Sequence, residues 1–459
     1  MISPARVAAY EILNAVSSGR APLPAAIATF RRRLLDERDQ ALAAEIATGV
    51  QRWRAALDHL IAQFARRPLD RLDPQVVEIL RMGMYQILHL TRVPAAAVVD
   101  DAVDLAKRAG KKSAAGFANA VLRAVSRQRR QLPLPPRPGS ESDRSAALEY
   151  LTVTLSHPRW LAARWLDRYG FEAAEAWARF DNSPAPLTLR VNTLKTTAEQ
   201  LVARLDREDV LVHPAQYAPH ALIVDEGHAM RSAAHEDGWF VAQDEASQLV
   251  ALLASASLGA RVLDACASPG GKTTAIAASM RSGSDGLAGG RIVASDVRDA
   301  RIALLRRTVD LSGATNVAII QASLASPLPF RGRPFDLVLV DAPCSGLGTL
   351  RRDPDIRWRR QEDDLTTLAA AELTMLQRAA DVVAARGRLV YATCSSEPEE
   401  NDGVADAFLA TSPEFVAIDA RLASPSLPAA VVDGRGRLRT EPHRHGLEAF
   451  FGAVFERRL

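Results

Sequence analysis

The segment Arg261-Val262-Leu263-Asp264-Ala265-Cys266-Ala267-Ser268-Pro269-Gly270-Gly271-Lys272-Thr273-Thr274 passes from a short apolar run, through a glycine pair, into helix-forming sequence. It predicts a strand over 261–265, a backbone turn at Gly270-Gly271 and a helix from Lys272 to Met280. The alternation continues downstream, with a strand over 291–296, a helix over 298–312 and strands over 317–320, 335–341 and 387–393. Short apolar strands alternating with helices predict an α/β domain whose mostly parallel sheet is covered on both faces. In such sheets ligands bind outside the carboxyl ends of the strands, where this glycine loop lies. A nucleotide-hydrolysing phosphate loop is the weaker reading. Cys266 stands where that motif needs a glycine, and Pro269 removes a backbone N–H from any cradle. Asp296 closes the second strand, where a carboxylate can accept hydrogen bonds from ribose hydroxyls; the competing reading is a cap for the helix that follows. Glycine loop and Asp296 together predict an adenosine-containing cofactor. The glycine-rich stretch Ser282–Gly290 reads as a surface loop.

The chain has three cysteines, Cys266, Cys344 and Cys394, too few for a disulfide framework and without the paired spacing of a zinc site. No metal is expected. Asp341-Ala342-Pro343-Cys344-Ser345-Gly346 leaves one predicted strand, and Thr393-Cys394-Ser395 leaves another. Both thiols therefore fall at carboxyl ends of strands, on the ligand-binding edge. A cysteine that only fills space more often lies within a strand. Two thiols and the carboxylate of Asp341 at one sheet edge favour nucleophilic chemistry.

Working outward, residues 1–132 read as all-helical, with apolar positions at helical spacing in Val7, Tyr10, Ile12, Leu13 and Val16 and again in Val76, Ile79, Leu80, Met84, Ile87 and Leu88. A bundle of roughly five to seven helices is expected. Residues 133–145, with four prolines, read as a linker. Helical patterns follow from about 146 to 181, then strand-like Leu187–Asn192, a helix near 196–207 and strand-like pieces at Leu211-Val212 and Leu222–Val224, a small α+β unit.

The length of 459 residues suits two or three domains, and 48% hydrophobic with 24% charged residues is the profile of a globular protein. The start Met1–Arg6 has no signal-peptide pattern and no apolar run is long enough to span a membrane, so a cytoplasmic protein is expected. Net charge is +3, but residues 1–132 hold 21 Lys+Arg against 12 Asp+Glu, a surplus of nine that leaves the remainder at minus six. A basic first third suggests a polyanionic partner, against the plainer reading of an arginine-rich solvated surface.

The motifs Asp341–Ser345, Thr393–Ser395 and Ala267–Thr273 resemble those of the NOL1/NOP2/sun family of RNA 5-methylcytosine methyltransferases. So do Leu189–Asn192, Gln243–Gln248 and Arg351–Trp358. The first third resembles the NusB-type RNA-binding helical domain in Leu80–Ile87, in Val93-Pro94 followed by Val98, and in Phe117–Arg123. The pairing of the two is similar to that in bacterial methyltransferases of 16S ribosomal RNA, and the likeness covers nearly the whole chain. It implies a multidomain protein: an all-α NusB-like bundle over 1–132, the linker 133–145, a helical plus small α+β RNA-binding subdomain over 146–240, and a Rossmann-like methyltransferase domain over 241–459. It also implies S-adenosyl-L-methionine as cofactor, ribosomal RNA of the small subunit as partner, and a monomer.

Carried over residue by residue, the resemblance makes Cys394 the nucleophile and Cys344 the group that assists product release, with Asp341 between cofactor and base. Cys266, Ala267, Ser268, Pro269, Gly270, Gly271 and Lys272 wrap the cofactor, Asp296 holds its ribose, and Lys272 orients Asp341 by charge. Cysteine suits the task. Carbon 5 of cytosine is too poor a nucleophile to attack a methyl sulfonium, and addition of a thiolate to carbon 6 makes it enamine-like. The chain departs from the family pattern at two places. Ser323 stands where a carboxylate usually meets the adenine amino group, and Glu448-Ala449 replaces the usual Asp-Gly. The alternative from another class is a catalytically inactive RNA- or ribosome-binding protein on the same fold, which should have lost a cysteine or the glycine pair. An antitermination factor would not need the last two thirds of the chain. A DNA cytosine methyltransferase would place its nucleophile in the Pro-Cys loop.

Overall fold

The computed structural model describes residues 2–34, 36–139, 143–280 and 289–459. The chain forms two compact units, Met1–Pro184 with Leu350–Glu362, and Ala185–Thr349 with Asp363–Leu459.

The first unit opens with seven α-helices among the described residues: Pro4–Ser17, Leu23–Arg31, Glu37–Arg52, Arg54–Ala65, Pro74–His89, Ala95–Arg108 and Ala115–Gln128. Their starts are set locally. Pro4 and Pro74 stand at first-turn positions that need no N–H, and the carboxylates of Asp36 and Asp73 accept hydrogen bonds from first-turn amides. Ile12, Leu13, Ile46, Val50, Leu57, Ile79, Leu80 and Leu122 meet in one core. Helix approach is tight at Gly49, where a Cβ would lie 1.9 Å from the Tyr85 ring. The proline-rich segment is pinned rather than free over its described part. Leu134 packs on the helical core, Thr154 Oγ1 donates to the Pro135 carbonyl at 2.6 Å, and Arg137 pairs with Glu172 and Glu175.

The helices Arg144–Glu149, Arg159–Tyr169 and Phe171–Asn182 group with this unit rather than with the sheet that follows them in sequence. Trp165 and Trp177 stack there at 5.2 Å. The segment Leu350–Glu362 returns to the same unit and plants Arg357, fully buried, among the Ser156 carbonyl at 3.0 Å, Asn182 Oδ1 at 3.0 Å and the Asp181 and Leu350 carbonyls at 3.5 Å.

The second unit holds two sheets. The smaller consists of β1 (Thr188–Val191), β2 (Leu211–Pro214), β3 (Ala221–Glu226) and β4 (Phe240–Ala242), antiparallel throughout in the order β2-β3-β1-β4. All four residues of β1 are buried although the sequence alternates in polarity, because Arg190 turns inward to Gln243 Oε1 and Thr274 Oγ1, both at 2.7 Å. The larger sheet contains β5 (Arg261–Asp264), β6 (Arg291–Asp296), β7 (Val317–Gln321), β8 (Phe335–Asp341), β9 (Val383–Thr393), β10 (Phe415–Ile418), β11 (Leu438–Thr440) and β12 (Phe450–Arg457). Its order is β10-β12-β9-β8-β5-β6-β7, with β11 against β12. Strands β5 to β9 are parallel, as the alternation with helices requires, and β10 to β12 add an antiparallel extension. Chain order reverses between β5 and β8, the topological switch point at which open sheets bind ligands. Most of the predicted glycine-rich loop, 281–288, lies outside the described residues. No described helix is long and apolar enough to cross a membrane.

Candidate active site

A cavity of about 520 Å³ lies at the carboxyl ends of β5, β6, β8 and β9. Ala265, Cys266, Ser268 and Lys272 line it from the loop after β5. Asp296 and Ser323 enter from the neighbouring strand ends, and Asp341, Cys344 and Cys394 from β8 and β9. Ala267, Pro269 and Gly271 line an adjoining space of about 260 Å³ that shares Cys266, Ser268, Lys272 and Asp341 with the first.

The glycine pair divides its work. Gly270 has φ +107°, a left-handed conformation, and a Cβ there would lie 2.9 Å from Leu305 Cδ1. A Cβ at Gly271 would meet the Gln243 side chain at 3.2 Å. The turn therefore brings the loop against its own neighbours, and the helix Gly271–Ser279 starts immediately after it.

Asp296 is not a helix cap. The next helix begins at Asp299, preceded by Arg298, whose side chain makes no capping bond. The Asp296 carboxylate instead accepts the Ser268 N–H at 3.2 Å and the Val297 N–H at 2.8 Å, and pairs with Arg301 at 3.2 Å. That fixes an anion at the cavity edge where the second strand ends. Ser323 Oγ accepts the Ala325 N–H at 3.2 Å, which leaves the hydroxyl hydrogen available to the cavity.

Lys272 Nζ donates to Asp341 Oδ2 at 2.7 Å. Burial alone would depress the Lys272 ammonium, but the charge and hydrogen bond of Asp341 outweigh it and its pKa is raised. Beneath them Asp264 is fully buried, accepts the Thr273 hydroxyl at 2.6 Å and is pushed up to about 7 by burial. Burial, then the charges of Asp341, Asp264 and Asp296, push the Cys266 thiol up. Cys266 is a neutral wall of the cavity, not an activated nucleophile.

Cys344 and Cys394 stand apart from it. Their sulfurs are 3.4 Å from each other; β8 and β9 are parallel neighbours, and each cysteine lies in the loop that follows its strand. The hydrogen bond to Cys394 and burial raise the Cys344 pKa, so its sulfur is a thiol. Gly348 N–H donates to the Cys394 carbonyl at 2.9 Å, and its own carbonyl accepts the Ala449 N–H at 2.9 Å, bringing Phe450 to the cavity wall. Sequence reasoning reached Glu448-Ala449 without placing Phe450 at the site. It also missed Arg301, Met375 and Glu400. Arg301 was visible as a cation two residues into a helix opposite Asp296, but Met375 sits mid-helix with no motif around it.

Fold and thiol pair together define a Rossmann-like methyltransferase that carries a NusB-type helical domain. Residues 251–456 match the 16S rRNA methyltransferase RsmB/F family, 3–127 the NusB family, and 157–231 the RsmF/B-like ferredoxin-like domain. The chain is 35% identical to the "Probable ribosomal RNA small subunit methyltransferase B" of Bacillus subtilis over 82% of each chain. It is 35% identical to the ribosomal RNA small subunit methyltransferase B of Pseudomonas putida over 89% of each chain. Among solved structures, PH0851 superimposes with TM-score 0.79 at 26% identity, covering 100% of this chain and 99% of that one. A methyltransferase homolog from Pyrococcus horikoshii does so with TM-score 0.55 at 26% identity, covering 68% of this chain and 99% of that one. The chain belongs to the RsmB/F family of 16S rRNA methyltransferases.

Proposed function

We propose that this chain transfers a methyl group from S-adenosyl-L-methionine to carbon 5 of a cytosine in 16S ribosomal RNA, through a covalent bond between Cys394 Sγ and carbon 6 of the base. The observation that carries this reading is the contact of the Cys344 and Cys394 sulfurs at 3.4 Å on the same cavity as the Lys272–Asp341 pair. The cavity fits the cofactor. Asp296, held by Ser268 and Arg301, would bind the ribose, Ser323 would offer a hydroxyl to the adenine, and the loop from Cys266 to Lys272 would enclose the remainder. When bound, S-adenosylmethionine supplies an electrophilic methyl sulfonium.

The residues of this chain do the rest. The Cys394 thiolate adds to carbon 6, and the electron pair of the carbon 5–carbon 6 bond moves into the ring toward N3. The Lys272–Asp341 pair holds a proton against the charge that develops there. Once carbon 5 carries the methyl group, it also retains its proton. Transfer of that proton to a base re-forms the carbon 5–carbon 6 double bond and expels Cys394 as thiolate; Cys344 assists this release, and as thiolate its sulfur would be that base. Residues 1–132, with their surplus of positive charge, bind the RNA together with the helices and small sheet of 146–240, residues 241–459 carry the catalytic groups, and the chain acts as a monomer.

Mapping 5-methylcytosine in 16S ribosomal RNA from cells with and without this protein tests the reading. One cytosine should lose its methyl group on deletion and regain it in vitro with purified protein and cofactor. An unchanged map and RNA binding without methyl transfer would leave the inactive RNA-binding alternative standing.

A further inference from the structure

The carboxylate of Glu400 does not line the cavity and takes no part in the chemistry above, yet it touches both cysteine loops. It lies on the π-helical turn Glu399–Gly403 after β9 and is fully buried. It accepts the Ser345 N–H at 2.6 Å and the Ser345 hydroxyl at 2.6 Å, and it also accepts the Ser395 hydroxyl. Ser345 directly follows Cys344, and Ser395 directly follows Cys394. The neighbouring Asn401 donates to the Ser395 carbonyl at 3.0 Å and accepts the Thr393 hydroxyl at 2.5 Å, so Thr393-Cys394-Ser395 is held along its length. Tyr391 OH ties the turn down through the Glu400 carbonyl at 2.5 Å and meets Glu372 at 2.9 Å.

A buried carboxylate is costly unless its lone pairs are filled. Here they are filled by the residues after the two cysteines. We propose that Glu400 is a positioning residue, a single carboxylate that ties both cysteine loops and thereby sets the two sulfurs in contact. This rests on the two-thiol chemistry proposed above, in which Cys344 must reach the base while Cys394 is bonded to it. The loops leave different strands, and nothing in the strand pairing itself fixes their sulfurs to one another. The charged and titratable groups around the thiols are Glu400, Glu372 and Tyr391 on the elements behind them and Lys272 and Asp341 across the cavity. The Glu400 charge is among the causes that keep Cys344 protonated.

The test is Glu400→Gln in the full-length chain, with three readings: methyl-transfer kcat and KM on 16S RNA, thermal unfolding, and iodoacetamide alkylation of each cysteine against pH, resolved by peptide mass spectrometry. The variant should lose about tenfold or more in kcat, as expected when a positioning shell is loosened, while the KM for the cofactor is unchanged. The alkylation midpoint of Cys344 should move to lower pH once the negative charge is gone. Glu400→Asp, which keeps the charge, should hold the midpoint near that of the wild type. A folded Glu400→Gln with unchanged kcat and unchanged alkylation midpoints overturns the proposal. Should Glu400→Gln not fold, Ser345→Ala and Ser395→Ala each remove one tie. Each should lower kcat, and full activity in both would equally overturn it. A wild-type chain that methylates no RNA would defeat the function proposed above, whereas the alkylation readings would still decide the role of Glu400.

Discussion

Arg357 in the first unit and Lys272 in the second are both withdrawn from water, but they are surrounded differently. Arg357 is ringed by the carbonyl oxygens of Ser156, Asp181 and Leu350 and by Asn182, with Asp181 close enough to act on its charge. Burial lowers its pKa to about 10 without neutralising it. Lys272 has one close carboxylate, Asp341, and the pair stands on the wall of a cavity. A buried charge whose two terminal nitrogens end on fixed acceptors is spent on cohesion. A buried charge with one partner and an open side is available to a ligand. The two sites should accordingly fail in different ways.

Lys272→Met should show the larger effect, a fall in kcat on the order of 10²–10³ with thermal unfolding near that of the wild type, because in the proposed mechanism its charge stabilises the reacting ring. A loss of activity that tracked a loss of fold would erase the distinction. Arg357→Met should do the reverse. Removing one member of a buried charged cluster destabilises by about 3–5 kcal/mol, and the folded fraction should still bind S-adenosylmethionine with unchanged affinity. Denaturant unfolding and cofactor titration on the same samples separate the two results.

The surface of the first unit sharpens the contrast. Arg31, Arg32 and Arg33 are exposed and contiguous. If this unit meets RNA through its charge, reversing all three to Glu should weaken RNA binding and flatten the log–log salt dependence by about 0.7 per lost phosphate contact. Cofactor affinity should not move. An unchanged salt slope would mean that these arginines only solvate the helix end.

Glu372 extends the comparison to pH. Burial, then the Glu400 charge, push it up to about 9 from an ordinary value of 4.5. Its folded pKa lies above its unfolded one, so its contribution to stability is complete below about 4.5 and is lost as pH rises toward 9. Glu372→Gln should therefore flatten the decline of Tm between pH 7 and 9. A parallel decline in both proteins would show that Glu372 is ionised in the fold. The smallest effect is expected at Ser323. A neutral hydrogen bond is roughly half as strong as a charge-assisted one, so Ser323→Asp should tighten cofactor binding by a few fold, measured calorimetrically.

The parallel core of the catalytic sheet was legible because β5, β6, β8 and the 387–393 part of β9 carry short apolar runs that end in polar residues at the ligand edge. The antiparallel extension was not. Phe450–Arg457 is apolar on both faces, without the period that separates a strand from a buried helix, and β10 and β11 are only four and three residues long. The cysteines, Asp341 and the glycine loop were legible because each follows a predicted strand. Glu400 was not. Glu399-Glu400-Asn401-Asp402 reads as a solvated acidic run, and only the packing of the turn against Tyr391 shows that one of these carboxylates is buried under the active site. The cap reading of Asp296 gave way because the next helix starts only at Asp299, and the Asp296 carboxylate receives the Ser268 and Val297 amides and the Arg301 side chain rather than first-turn amides of that helix.

The central claim is the division of labour between two sulfurs 3.4 Å apart. Cys394→Ser and Cys344→Ala, each incubated with 16S RNA and cofactor and run on a denaturing gel, test it directly. Cys394→Ser should give neither methylated RNA nor an adduct, because a hydroxyl is a far weaker nucleophile near neutral pH. Cys344→Ala should attack and methylate but fail to release, leaving a slow-migrating, nuclease-sensitive band. An adduct that accumulates in Cys394→Ser and is missing in Cys344→Ala would exchange the two roles and contradict the account.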